Sequence, residues 1–152
     1  VINCLFALGE EIGWRGFLVP QLARLTNFTK TALISGALWA LWHYPLILFS
    51  IYGTSESPMW YKLMCFTIIV LGISFAFAWI RLKSRSLWTA MFIHGNHNLY
   101  TQRVFPSLTE NTEMTHYFTG EFGSALAIVA LIVAFIFWRM RSQLNLISGK
   151  AR

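Results

Sequence analysis

Long apolar stretches separated by short polar ones run along this chain. Residues 31–52 contain no Asp, Glu, Lys or Arg, and residues 63–80 are equally free of them. An uncharged apolar stretch of about 20 residues is long enough for a helix that crosses a bilayer. The pattern predicts five helical segments, with a break or kink at Pro45. The segments are 1–25, 31–52, 59–80, 87–100 and 122–138.

The composition supports a membrane location. Of the 152 residues, 56% are hydrophobic and only 12% are charged, whereas a soluble domain carries about 25% charged residues. We therefore predict an integral membrane protein whose first partner is the lipid bilayer: one all-α, polytopic bundle of about five spans, with its site buried between helices. The net charge of +6 does not indicate a nucleic-acid partner, because the basic residues are dispersed along the chain.

The loops between the segments differ in charge. If the loop containing Arg24 and Lys30 is cytoplasmic, five spans place nine of the twelve Lys and Arg residues on that side, as the positive-inside rule requires. The acidic loop residues then fall on the other side. They are Glu56, Glu110, Glu113 and Glu121.

Ionisable or hydrogen-bonding side chains interrupt three of the apolar segments. Such groups are costly in a membrane and indicate function by default. Counted along helices, four of them lie nine to fourteen residues from a basic loop residue, which is roughly 14–21 Å and one shared depth. The side chains are Glu10, Glu11 and Arg15 in the first segment, His43 in the second, and His94 and Asn98 in the fourth.

Helical spacing predicts different roles for these side chains. Glu11 and Arg15 are four residues apart and can form an ion pair. Glu10 then lies about 100° around the helix and is left as the working carboxylate. His94 and Asn98, also four residues apart, share one face.

This set fits the hydrolysis of an amide inside a membrane. Glu10 would activate a water molecule that His43 helps to hold, while His94 and Asn98 would stabilise the oxyanion. Taken singly, a membrane histidine such as His43 is as well explained by a hydrogen bond between helices. His97 is predicted to be structural.

Three short motifs occur here in order: Glu10-Glu11-x-x-x-Arg15, Trp39-x-x-x-His43 and His94-x-x-x-Asn98. Together they resemble the CPBP family, which comprises the type II CAAX prenyl proteases and the bacteriocin-processing or immunity proteins of the Abi group. The resemblance covers about residues 6–100. Trp39 stands where the family usually has Phe, a change that keeps an aromatic ring but enlarges it.

The resemblance implies roles for these residues. Glu10 would be the catalytic glutamate with His43 as its water-binding partner, and His94 and Asn98 would form the oxyanion site. Glu11, Arg15 and Trp39 would support them. The cofactor is left open between Zn²⁺ and a metal-free glutamate mechanism. A zinc ion would be held by Glu10, His43 and His94.

The resemblance also divides the chain. A protease-like core is expected at about residues 6–100, a loop and last span at 101–141 and a basic tail at 142–152. Further helices are expected upstream, because the family typically has them. The implied substrate is a membrane-associated peptide or a lipidated protein. It would carry a prenylated CAAX end or resemble a bacteriocin. The implied location is a bacterial cytoplasmic membrane.

Two other functions are compatible with the sequence. One is a non-catalytic immunity or scaffold protein that keeps the motifs for folding and binding. The other is a transporter subunit that uses the carboxylates and histidines as a proton relay. The absence of an inverted repeat in the sequence argues against the transporter.

Overall fold

The computed structural model describes residues 2–49, 51–52 and 55–144. Within these ranges the chain is helical and contains no strand, so the prediction of an all-α bundle is confirmed. Most of the predicted basic tail, from residue 145 onward, lies outside the described residues.

Eight α-helices follow one another along the chain. Two π-helical turns, Ile12–Leu18 and Tyr100–Val104, continue the first and fifth helices, and a short 3₁₀ helix, Met140–Gln143, follows the last. The helices are α1 (Ile2–Glu11), α2 (Val19–Leu25), α3 (Phe28–Leu48), α4 (Met59–Ser84), α5 (Leu87–Leu99), α6 (Phe105–Leu108), α7 (Thr115–Phe118) and α8 (Ser124–Arg139).

Three helical stretches in the described ranges are long and apolar enough to cross a membrane. They are Phe28–Leu48, Met59–Ser84 and Ser124–Gln143, and they correspond to the second, third and fifth predicted segments. The first and fourth predicted segments are helical too, but each joins α-helical and π-helical turns. The total of five spans stays a prediction.

Helix α3 begins and ends differently from its predicted bounds. The Asn27 side chain caps its start, where Oδ1 accepts a hydrogen bond from the Lys30 amide at 3.0 Å. Pro45 was expected to break or kink the helix; α3 continues through it to Leu48, so the helix is not broken there. The missing N–H of Pro45 removes one internal hydrogen bond, and the Pro45 carbonyl still accepts from the Phe49 amide at 3.0 Å.

Helix α4 is the centre of the bundle and packs against α3 and α8. Its buried side chains Phe66, Val70 and Phe77 form the core beneath the site. Gly72 allows α8 to approach closely, since a Cβ there would lie 2.6 Å from the carbonyl oxygen of Ala130. Only 11% of the α8 span is buried, which leaves an apolar face suited to lipid.

Helix α5 packs against α1, and this contact brings the first and third motifs together. Gly95, next to His94, lies against Cys4: a Cβ on Gly95 would be 2.8 Å from the Cys4 sulfur and 3.1 Å from its Cα. Only glycine permits so close an approach. The small residue at this position therefore sets how near His94 comes to the carboxylates of the first motif.

Candidate active site

The four predicted catalytic side chains come from α1, α3 and α5 and line one pocket, to which α4 adds apolar side chains. Its volume is about 50 Å³, which gives room for water but is far below the roughly 300 Å³ of the smallest common ligand pockets. The depth that the sequence predicts for these four side chains allows them to meet in this way. The side chains are Glu10, His43, His94 and Asn98, and Trp39 lines the same pocket.

Glu11 links two helices through a single oxygen atom. Its Oε1 accepts hydrogen bonds from Arg15 Nη1 and from His94 Nδ1, each at 2.8 Å. The Glu11–Arg15 pair confirms the prediction from helical spacing. The bond to His94, 83 residues away in sequence, was not predicted: Glu11 orients a pocket histidine as well as pairing with Arg15.

This group is sealed from solvent. Glu11 is 0% exposed, Arg15 2% and His94 3%. Charges removed from water in this way are tolerated only when they are paired and hydrogen-bonded. The second oxygen of Glu11, Oε2, has no partner within the described part of the chain. The group therefore depends on Oε1 holding both of its neighbours.

Trp39 contacts both the carboxylate and the cation of the first motif. Its Nε1 donates a hydrogen bond to Glu10 Oε2 at 3.0 Å, and the Arg15 guanidinium lies over its ring at 4.0 Å from the centroid. Phe, the usual residue of the family at this position, has no N–H to donate. The exchange of Phe for Trp thus enlarges the ring and also adds a hydrogen bond to Glu10.

The two pocket histidines are fixed through the same ring atom. His43 Nδ1 is 3.0 Å from the Trp39 carbonyl oxygen, and His94 Nδ1 contacts Glu11. A carbonyl and a carboxylate only accept, so both Nδ1 atoms carry hydrogen. In each ring Nε2 is left for the pocket, where it can accept from or donate to a bound molecule.

Two polar side chains near the end of α5, His97 and Asn98, line the pocket. Asn98 is half-buried and lines the pocket. Its amide makes no hydrogen bond to any residue in the described ranges, so it is available to donate to a ligand. His97, predicted to be structural, lines the pocket as well. The π-helical turn that follows at Tyr100 widens the helix close to these residues, as such turns often do at functional sites.

The sequence did not point to Tyr52 and Glu121 as pocket residues, yet both line it. Each comes from a connection between helices, where hydrophobic periodicity carries no signal. Glu121 was interpreted only as an outer loop charge. Burial raises the pKa of its carboxyl above the usual range, against the smaller opposing effect of the Gln102 hydrogen bond. A half-buried carboxyl so far along the chain from the three motifs could be found only from the tertiary structure.

The zinc site implied by the resemblance would use Glu10, His43 and His94 as ligands. Such a site needs three protein donors around one ion. Within residues 2–49, 51–52 and 55–144, no three His, Cys, Asp or Glu side chains come together closely enough to hold a metal ion. The three side chains share a pocket without forming a three-ligand cluster, and a bound zinc ion stays a prediction.

Comparison with known proteins agrees with the three motifs. A family model described as type II CAAX prenyl endopeptidase Rce1-like matches residues 1–100. The chain is 29% identical over 135 residues to CAAX prenyl protease 2 of Methanococcus maripaludis. That alignment covers 86% of this chain and 47% of the relative, so the chain spans about half the length of the curated protein it matches. No solved structure matches it.

Proposed function

This chain belongs to the Rce1-like family of type II CAAX prenyl endopeptidases, and from that premise we propose that it is an intramembrane endopeptidase. The resemblance seen in the three motifs is thereby confirmed at the level of the family. The proposed substrate is a membrane-associated peptide or protein, with a prenylated CAAX end as the first candidate. The observation that supports hydrolysis is the meeting of Glu10, His43, His94 and Asn98 in one small pocket.

In the proposed reaction, water is activated by Glu10 and His43. Trp39 holds one carboxylate oxygen of Glu10, which leaves Oε1 to take a proton from water. His43 Nε2 accepts the second water hydrogen and so orients the oxygen lone pair toward the scissile carbonyl. The hydroxide adds to the carbonyl carbon, and the carbonyl π electrons move to its oxygen.

The negative oxygen of the tetrahedral intermediate is stabilised by His94 and Asn98. The Asn98 amide donates directly. His94 donates through Nε2 when its ring is protonated, and the Glu11 carboxylate on Nδ1 stabilises the positive charge of that form. Preorganised donors of this kind supply roughly 10²–10³ in rate each. The carbon–nitrogen bond then breaks, and the proton held by Glu10 passes to the leaving nitrogen.

The test is cleavage of a fluorogenic, farnesylated CAAX peptide by the purified chain in proteoliposomes. We expect Glu10→Gln to reduce the rate by about 10²–10⁴, the contribution of a general base, with protein amount and thermal midpoint unchanged. Glu110→Gln is the matched control, because Glu110 is an exposed carboxyl outside the pocket. Equal rates for Glu10→Gln and wild type would refute the proposed role of Glu10.

Two further arms separate the alternatives. Chelator treatment is expected to leave cleavage unchanged, and near-stoichiometric metal that is lost in a His43→Ala/His94→Ala variant would restore the zinc mechanism. An unprenylated version of the same peptide asks whether the lipid is needed. Tight peptide binding without any cleavage would favour the non-catalytic member of the family.

A further inference from the structure

A second, larger cavity lies next to the pocket, on the side of the connection between α5 and α8. Its volume is about 550 Å³, within the range of cavities that bind small molecules and peptides. The inner pocket, at about 50 Å³, holds water and reacting atoms but not a peptide. A substrate that reaches Glu10 therefore needs another place for the residues flanking its scissile bond.

The two cavities share two wall residues, Tyr52 and Glu121. Gln102 joins these residues: its Nε2 donates to Glu121 Oε1 at 2.8 Å and lies 3.4 Å from the Tyr52 hydroxyl. The junction is thus a polar contact point between the large cavity and the proposed catalytic pocket. A peptide that extends from one to the other must pass these side chains.

The walls of the large cavity carry side chains that can hydrogen-bond to a peptide segment. Hydroxyl and amide side chains dominate the lining, and none of its described lining residues is Lys or Arg. The only carboxylate among them is Glu121, at the junction. Side chains that illustrate the lining are Ser55, Thr101, Gln102, Asn111, Thr115 and Thr119.

On the basis of the proposed function, we infer that this cavity is the subsite for a water-exposed peptide segment beside the scissile bond. We assign Glu121 as the residue that selects a neutral or basic segment over an acidic one. At a pH above its raised pKa, Glu121 is a carboxylate. It then accepts hydrogen bonds from main-chain N–H groups and attracts Lys or Arg, whereas it repels Asp and Glu. The electrostatic selection acts at the point through which the chain enters the pocket.

The experiment uses three lipidated peptides that differ only at one position beside the cleaved segment, where they carry Lys, Gln or Glu. In wild type we expect kcat/KM to follow the order Lys, Gln, Glu, with roughly tenfold between the extremes. In Glu121→Gln the three peptides are expected to give nearly equal KM values, so that the order collapses whatever the change in kcat. Glu110→Gln is expected to keep the wild-type order.

A second variant approaches the same cavity from another wall. Thr119→Lys places a positive charge in the lining that offsets the charge of Glu121, and it is expected to weaken the preference for the Lys peptide. Because it leaves the Glu121 side chain in place, it keeps the test valid if Glu121→Gln folds poorly. A preference that is the same in wild type, Glu121→Gln and Thr119→Lys would overturn the assignment of this cavity.

Binding measurements keep this inference separate from the catalytic proposal. Fluorescence anisotropy of the same three peptides, with wild type and both variants in detergent micelles, requires no bond to be cleaved. A Lys preference in binding that disappears in Glu121→Gln supports the subsite even if wild type cleaves nothing. Equal binding of the three peptides to wild type overturns it, even if cleavage is observed.

Discussion

The inner pocket and the larger cavity beside it both carry polar side chains in their walls, but these side chains are positioned in different ways. The inner pocket takes its side chains mainly from long helices, and the Glu11–Arg15–His94 group behind it is almost fully buried. The larger cavity takes most of its lining from the connection 101–122, where many side chains are exposed. Helix packing fixes the geometry of the first, whereas short turns and side-chain hydrogen bonds shape the second.

This difference indicates where each function can reside. A reaction requires its groups held to a fraction of an ångström, which side chains on packed helices provide. Recognition of varied peptide segments tolerates, and benefits from, a wall built on a connection. The contrast predicts that substitutions in the inner pocket lower the rate and that loss of the buried group behind it lowers the stability, while substitutions around the larger cavity mainly affect selectivity.

Among the substitutions that test this contrast, Glu11→Ala is expected to have the largest effect on stability. The change leaves Arg15 and His94 buried without their shared partner, which costs about 3–5 kcal/mol of stability and lowers the thermal midpoint by roughly 10 °C. The midpoint is measured in detergent micelles, with Glu113→Ala as the control for loss of an exposed carboxyl. A midpoint unchanged in Glu11→Ala would mean that the buried group does not hold the helices together.

A smaller effect is expected for Trp39→Phe, which installs the usual residue of the family. It removes the hydrogen bond to Glu10 Oε2, and a bond to a charged group is worth about 1.5–3 kcal/mol. We expect kcat to fall roughly tenfold to a hundredfold with KM nearly constant. Cleavage kinetics of the farnesylated peptide measure this.

The matched control is Trp88→Phe, the same exchange at a side chain that is 60% exposed. Its kinetics are expected to equal those of wild type. If Trp39→Phe also retains the wild-type kcat, the ring of Trp39 supports the pocket by packing alone, and the Nε1 donor has no part in orienting Glu10.

The smallest effect belongs to the junction of the two cavities. Burial raises the pKa of Glu121 in the folded protein, so folding favours the protonated carboxyl. The stability it contributes is present below its unfolded pKa, near 4.3, and is lost as the pH rises through the raised value. Gln does not ionise, so Glu121→Gln is expected to be slightly more stable than wild type at pH 8 and equal to it near pH 4.

Thermal midpoints of wild type and Glu121→Gln across this pH range measure the effect. Glu110→Gln, in the same connection, corrects for a general change of net charge. A stability gain that grows toward acid pH, opposite in sign to the expectation, would show that the folded protein favours the ionised carboxylate and that Glu121 is better hydrated than its burial indicates.

Much of the architecture followed from local sequence patterns. Charge-free apolar runs predicted α3, α4 and α8 to within a few residues, because lipid and core both select apolar side chains along a whole helix. The pairing of Glu11 with Arg15 followed from a spacing of four residues. The break considered at Pro45 does not occur, since α3 continues to Leu48 and only three residues of the helix lie beyond the proline.

The sequence by itself determined the helices, the three motifs and therefore the family. Only the tertiary structure decided which atoms meet: Trp39 with Glu10, Glu11 with His94, and Glu121 with the pocket. Those contacts depend on how separate helices are rotated and how closely they approach each other. Two features set this geometry: the π-helical turn at Ile12–Leu18 and the close contact of Gly95 with Cys4. Hydrophobic periodicity predicts which face of a helix is buried. It does not predict which side chains of a distant helix that face contacts.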